Sequence, residues 1–322
     1  MLLKPKHLQK GDTVGIISPS SPITTDFMNQ FNHGIKTLSE FGLEVKLGKH
    51  IFDKYYYSAG KREDRISDFN TIWEDPQVKM VLMTIGGTSC LQLVDAIDYE
   101  MISMKPKIFA GISDGTILLN AIYANANLIT FHGPDLIFTF GLEISPIIKD
   151  NLIKTLFTGQ VGQLMPNPVW KYFGNQIVDY KQWRWLRQGK ATGELIGGHS
   201  NCLIHLTLSG YGPDFSGKLL FLEGTDPLGR LDRQISSLRL HGVFEKINGL
   251  ILGFFEGSKL DEKDQNRPVS DVVLEITEDY DFPILEIGEL GHNVENYIFP
   301  IGCKATIDSE KNIFKIDEST VI

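Results

Sequence analysis

Gly111-Ile112-Ser113-Asp114-Gly115 is the sharpest chemical signal in the chain. The apolar stretch 107–111 precedes it, and Ile117, Leu118, Ala121 and Ile122 follow at helical spacing, so Ser113 falls on a strand-to-helix turn. A serine on such a turn is held clear of the sheet, and the free amides of the helix N-terminus face any oxyanion that forms beside it. The same residues also read as a plain helix start in which Ser113 or Asp114 caps the first turn.

A nucleophilic serine needs a base, and the base needs an orienting carboxylate. Glu223 ends the apolar stretch 219–222, where a carboxylate is costly to bury unless it is paired, so it is the candidate orienter. Its alternative is an ordinary strand-end acid, or a cap for the helix that starts near Pro227. Of the eight histidines, His292 in Gly288-Glu289-Leu290-Gly291-His292 is the preferred base, because the glycines let a loop carry its imidazole over another site. His132, in Phe131-His132-Gly133-Pro134, also ends a strand and is the rival. After the apolar stretch 78–85, the turn Gly86-Gly87-Thr88-Ser89 offers a second set of amides to an oxyanion, or is simply a tight turn. It matches neither dinucleotide nor P-loop spacing, and no HExxH cluster occurs, so neither cofactor nor catalytic metal is expected.

Trp170, Tyr172, Phe173, Tyr180, Trp183 and Trp185 form an aromatic cluster that suits packing better than a ligand face. If it does meet substrate, Trp183 and Trp185 alternate in an extended chain, so only one of them would face it.

These residues need a scaffold to hold them. Of the 322 residues, 42% are hydrophobic and 22% charged, the composition of a globular chain long enough for two domains. In the first half, short apolar strands alternate with helical periodicity through 128–134, the pattern of βαβ units whose ligands sit at the strands' carboxyl ends. We place a nucleophile domain at 1–150, a linker with the aromatic segment at 151–189, and a second domain at 190–322 that carries Glu223 and His292. The tail, 305–308 and 313–316 around a polar turn, reads as a hairpin. A net charge of −9 argues against a nucleic-acid polymer, and no apolar stretch is long enough to span a bilayer. The opening residues lack a signal-peptide pattern, and three cysteines outside any CxxC pair support no disulfide framework, so a cytoplasmic location is expected.

The blocks Ile85-Gly86-Gly87, 106–114, Phe221-Leu222-Glu223 and Gly291-His292, with Gly193-Glu194-Leu195-Ile196-Gly197-Gly198, 249–253 and 299–302, together resemble the LD-carboxypeptidase family of serine peptidases across nearly the whole chain. The resemblance implies a triad of Ser113 as nucleophile, His292 as base and Glu223 as orienter, with the amides of Gly87 and Asp114 as oxyanion hole. It implies a flavodoxin-like or amidotransferase-like N-terminal domain with a parallel sheet, plus a smaller β-rich α/β C-terminal domain. It also implies a homodimer and a small-molecule peptide or aminoacyl-nucleotide substrate.

One branch of the family trims muropeptides. The other resembles microcin C immunity proteins, which cut an amide between an acidic aminoacyl group and a nucleotide-like moiety. The aromatic segment leans to the second, with Thr88, Trp183 and Trp185 as expected substrate contacts and a muropeptide carboxypeptidase as the alternative. Thr88-Ser89-Cys90 stands where that branch carries Asn-Ser-Asn, and His199-Ser200 where it carries Asn-Leu. An α/β-hydrolase esterase and a non-catalytic binding protein are the remaining readings.

Overall fold

The computed structural model describes residues 2–173, 182–258 and 267–322, and two large sheets organise them into a mixed α/β fold. In the first sheet Thr13–Ile17, Glu44–Leu47, Val78–Met83, Ile108–Gly111 and Thr130–His132 run parallel, in the order 2-1-3-4-5 counted along the chain. Helices cover its faces, so Val78–Met83 and Ile108–Gly111 are buried almost throughout and read as unbroken apolar stretches rather than alternating ones. Because these strands are parallel, the turns at 18–21, 84–89, 112–114 and 133–135 all open on one edge.

The second sheet has eight strands, from Gly162–Leu164 through Ile313–Ile316, Lys304–Asp308, Lys190–His199, Leu219–Gly224, Gly249–Phe255 and Ile284–Gly291 to Arg184–Arg187. The four from Lys190–His199 to Ile284–Gly291 are parallel, and the antiparallel hairpin expected in the tail pairs Asp308 with Ile313. The shorter half of the chain therefore carries the larger sheet. Residues 151–189 are more than a connection, since they supply both edge strands of that sheet. These are short and partly exposed, which is why hydrophobic periodicity blurs there. Tyr180 lies outside the described residues. The chain finally returns to the first sheet, where Phe299–Ile301 pairs antiparallel with Thr130–His132.

The helix Gly115–Ala126, which follows Ser113, is buried on nearly every side, as a helix apolar all round must be. It packs on both halves of the molecule. Asn120 Nδ2 donates to the Gly197 carbonyl at 2.8 Å, and the Gly197 N–H donates back to Asn120 Oδ1 at 3.2 Å. One turn on, the Tyr123 hydroxyl donates to Glu194 at 2.5 Å. These contacts register the nucleophile's helix on the strand Lys190–His199, whose last residue pairs with Glu223 on the next strand. No helix among the described residues is long and apolar enough to cross a membrane.

Candidate active site

Ser113 sits on the expected strand-to-helix turn with φ +63°, a left-handed conformation that costs an ordinary side chain about 1–2 kcal/mol. The flanking glycines are there for space. A Cβ on Gly111 or Gly115 would come within 2.5 or 2.6 Å of the Met83 sulfur on the neighbouring strand. Gly86 is pressed against the serine itself, with room for no side chain: its Cβ would lie 2.6 Å from Ser113 Cβ and 2.7 Å from Oγ.

Asp114 is buried, and its side chain makes no capping bond to the helix that follows. Its Oδ2 accepts from Ser20 Oγ at 2.5 Å and from the N–H groups of Ser89 and Cys90 at 2.7 and 2.8 Å, tying the diglycine turn to the serine turn. Arg65, also buried, reinforces this turn by donating from Nη1 to the carbonyls of Pro19 and Ser89 and to Ser89 Oγ. Among the described residues neither the Gly87 nor the Asp114 N–H is spent on a protein acceptor, so both remain free to bind an oxyanion. Thr88 is exposed at the tip of the turn. A cavity of about 750 Å³ lined by Tyr55, Tyr57, Arg62 and Arg65 lies beside this network, and neither Ser113 nor His292 lines it.

The second sheet supplies the other pair. Glu223 is fully buried at the carboxyl end of its strand, where the ladder to Gly249–Phe255 shifts register between Leu222 and Gly224. Such an irregularity re-aims a side chain. Glu223 Oε2 and His292 Nδ1 are 2.6 Å apart, and His292 follows the Ile284–Gly291 strand directly. Burial pushes the Glu223 carboxyl up, but the charge and hydrogen bond of His292 outweigh it and hold the pKa at about 2. Burial likewise pulls the His292 imidazole down, and Glu223 outweighs that and holds it above its ordinary value. His292 Nε2, the nitrogen turned away from Glu223, has no partner among the described residues.

His199 joins the two halves. Its ring meets the His292 ring edge-on at 5.3 Å, and its N–H donates at 2.9 Å to Thr116 Oγ1, in the first turn after Ser113. The arrangement thus offers a strained serine at a helix N-terminus, a carboxylate-oriented imidazole with a free nitrogen, and two free amides. That set suits acyl transfer.

Other expected residues stand elsewhere. Trp183 donates its indole N–H to Glu289 at 2.6 Å and packs on Phe314, and Trp185 donates to Asn312 at 2.9 Å. Both belong to the packing around the C-terminal hairpin, and among the described residues neither makes a hydrogen bond or ring contact with Ser113, Glu223 or His292. The aromatic residues nearer the site are Trp170 and Tyr172, packed on Phe254, with the Phe173 N–H donating to the carbonyl of Asn293, next to His292. Ser20 and His199 carry no motif. Their signal was position alone, at the carboxyl ends of parallel strands. Among the described residues no group of three or more His, Cys, Asp or Glu side chains is placed to hold a metal ion.

Residues 14–133 match the LD-carboxypeptidase N-terminal domain, and residues 192–307 the LD-carboxypeptidase C-terminal domain. A putative carboxypeptidase of Vibrio cholerae is 33% identical over 99% of this chain and 99% of its own length. A probable murein peptide carboxypeptidase of Bacillus subtilis is 31% identical over 98% of this chain and 94% of its own. The solved structure of the microcin C7 self-immunity protein MccF in complex with aspartyl sulfamoyl adenosine aligns with a TM-score of 0.88 at 31% identity, covering 99% of this chain and 100% of that one.

Proposed function

The chain belongs to the LD-carboxypeptidase family of serine-hydrolase-type carboxypeptidases, and from that premise we propose that Ser113, His292 and Glu223 form its catalytic triad. The observation that carries this reading is the buried Glu223–His292 pair at 2.6 Å, attached through His199 and Thr116 to the helix that follows the strained Ser113.

In the proposed reaction Ser113 Oγ attacks the carbonyl carbon of an amide next to a carboxylate-bearing group, and His292 Nε2 takes its proton. The amides of Gly87 and Asp114 hold the oxyanion. When the tetrahedral intermediate collapses, the C–N bond breaks and the His292 proton goes to the departing nitrogen. A water activated by the same imidazole then hydrolyses the acyl-serine, releasing the acid and restoring the serine.

Of the two substrate classes in the family, we favour an aminoacyl-nucleotide amide of the microcin C type. The full-length likeness to MccF, solved with an aspartyl sulfamoyl adenosine, supports this. The murein peptide relative keeps a muropeptide as the second reading. The 2-1-3-4-5 strand order supports naming the first domain flavodoxin-like. We keep the division at 1–150, 151–189 and 190–322, a homodimer and a cytoplasmic location as parts of the proposal.

A hydrolysis panel of an aspartyl sulfamoyl adenosine, an L-Lys-D-Ala muropeptide and a plain dipeptide tests the substrate, with Ser113→Ala as control. Cleavage of the nucleotide amide, lost by at least ~10³-fold in Ser113→Ala, is expected. Cleavage of the muropeptide alone transfers the assignment to the second reading, and an active Ser113→Ala overturns the triad.

A further inference from the structure

His132 has no part in the reaction described above, yet it lies under the site. It ends the strand Thr130–His132, is fully buried, and pairs in register with Gly111, the residue that opens the serine turn. Its ring packs on Phe221 at 5.3 Å. Phe221 stands two residues before Glu223 on one strand, pairing with Gly197 as Glu223 pairs with His199, and the Glu223 carboxylate is close enough to act on His132 through its charge. Gly198, at φ +131°, leaves the necessary room, since a Cβ there would come within 3.0 Å of His132 Nδ1.

Three polar groups meet here with atoms left over. Among the described residues both ring nitrogens of His132, Oε1 of Glu223 and Nδ1 of His199 are buried without a hydrogen-bond partner. Buried polar atoms in native proteins are almost always satisfied, and where protein atoms fall short an internal water making about three hydrogen bonds does it. A neutral imidazole has one nitrogen to donate and one to accept. Glu223 Oε1 can only accept.

We propose that His132 is a positioning residue for the triad, donating through one internal water to Glu223 Oε1 and so fixing the carboxylate that orients His292. This rests on the Ser-Glu-His reading above. Burial holds His132 neutral, with a pKa of about 4, so it acts as a dipole rather than a second positive charge beside His292. The ionisable groups that face the pair are Glu223, His199 and His292 around His132, with Asp135 and Glu256 also acting on His292. Without the donor, Glu223 is a stronger acceptor, and the imidazolium of His292 is stabilised further.

The test is the pH dependence of Ser113 labelling by a fluorophosphonate, followed by intact mass, in the wild type, His132→Phe and His132→Gln. This readout needs no knowledge of the substrate. His132→Phe fills the volume without a donor and is expected to label about tenfold more slowly, with its acid limb moved up by about half a pH unit. His132→Gln keeps an N–H and is expected to restore the wild-type limb. A wild-type rate and limb in His132→Phe overturns the proposal, as does a slow His132→Gln with the limb of His132→Phe. Labelling of a Ser113→Ala control shows instead that the triad reading has failed. If His132→Phe does not fold, nitrogen NMR of the wild type decides. A single neutral His132 tautomer from pH 9 down to 5.5 is expected, and titration of His132 near the ordinary 6.5 overturns the proposal.

Discussion

Gly86→Ala tests the packing of the nucleophile with the smallest possible probe. Gly86 does not have a positive φ, so its backbone accepts alanine, and only space is at issue. The added methyl would stand 2.6 Å from Ser113 Cβ, where ordinary contact begins at 3.4 Å. The two must therefore separate by about 0.8 Å. Ser113 has little freedom to yield, because Gly111 and Gly115 are both jammed on Met83 and Asp114 is pinned by three hydrogen bonds. A misplacement of about 1 Å at a reacting atom costs about a hundredfold in rate, or about 2.7 kcal/mol of barrier. Overpacking costs about 1–3 kcal/mol of stability, offset in part by the roughly 0.4–1 kcal/mol that alanine saves in the unfolded chain. Fluorophosphonate labelling of Ser113 should thus slow about a hundredfold while thermal unfolding shifts only modestly. Gly229→Ala is the control. It lies in the helix Leu228–Leu240 with nothing within 4 Å of the new Cβ, and should label at the wild-type rate. A folded Gly86→Ala that also labels at the wild-type rate would refute the argument that this glycine sets the serine's position.

The acid limb of kcat/KM should have its midpoint above 6.5, because Glu223 outweighs burial at His292; in Glu223→Gln only the charges of Glu256 and Asp135 are left to oppose burial, and the limb should move down. An unmoved limb would remove Glu223 from its role. Because His132 is neutral when folded, its contribution to stability is complete above pH 6.5 and is lost as the pH falls through about 4. At about 1.4 kcal/mol per unit, the two pH units from 6.5 to 4.5 amount to about 2.5 kcal/mol, by which the wild type should lose more stability than His132→Phe in urea unfolding at pH 7.5 and 4.5. Trp183→Phe removes a donor from the buried Glu289 and should cost about 1–3 kcal/mol in a thermal melt. Trp185→Phe, whose bond is exposed, should cost less, and neither should change Ser113 labelling. Selective loss of nucleotide-amide cleavage in Trp185→Phe would instead place that indole on the substrate.

Local pattern was enough for the five parallel strands of the first sheet and for the serine turn. Apolar strands alternating with amphipathic helices impose parallel βαβ units, and a small glycine-flanked turn between a buried strand and a buried helix leaves a serine few other positions. The tail hairpin was equally legible, because its polar turn and alternating strands are neighbours in sequence. What ties the helix after Ser113 to the strand beside Glu223 was not local. It depends on Asn120 and Tyr123 gripping the strand Lys190–His199, and on a register that sets His199 beside Glu223. Contacts between residues 77 and 71 positions apart leave no periodic trace in one chain. The indoles at Trp183 and Trp185 show the same limit, since alternation says that they face opposite ways and says nothing of what lies on either side. Only the paired strands and the hairpin beside them decide that, because a side chain's surroundings are set by every element packed against it, most of which lie far along the chain.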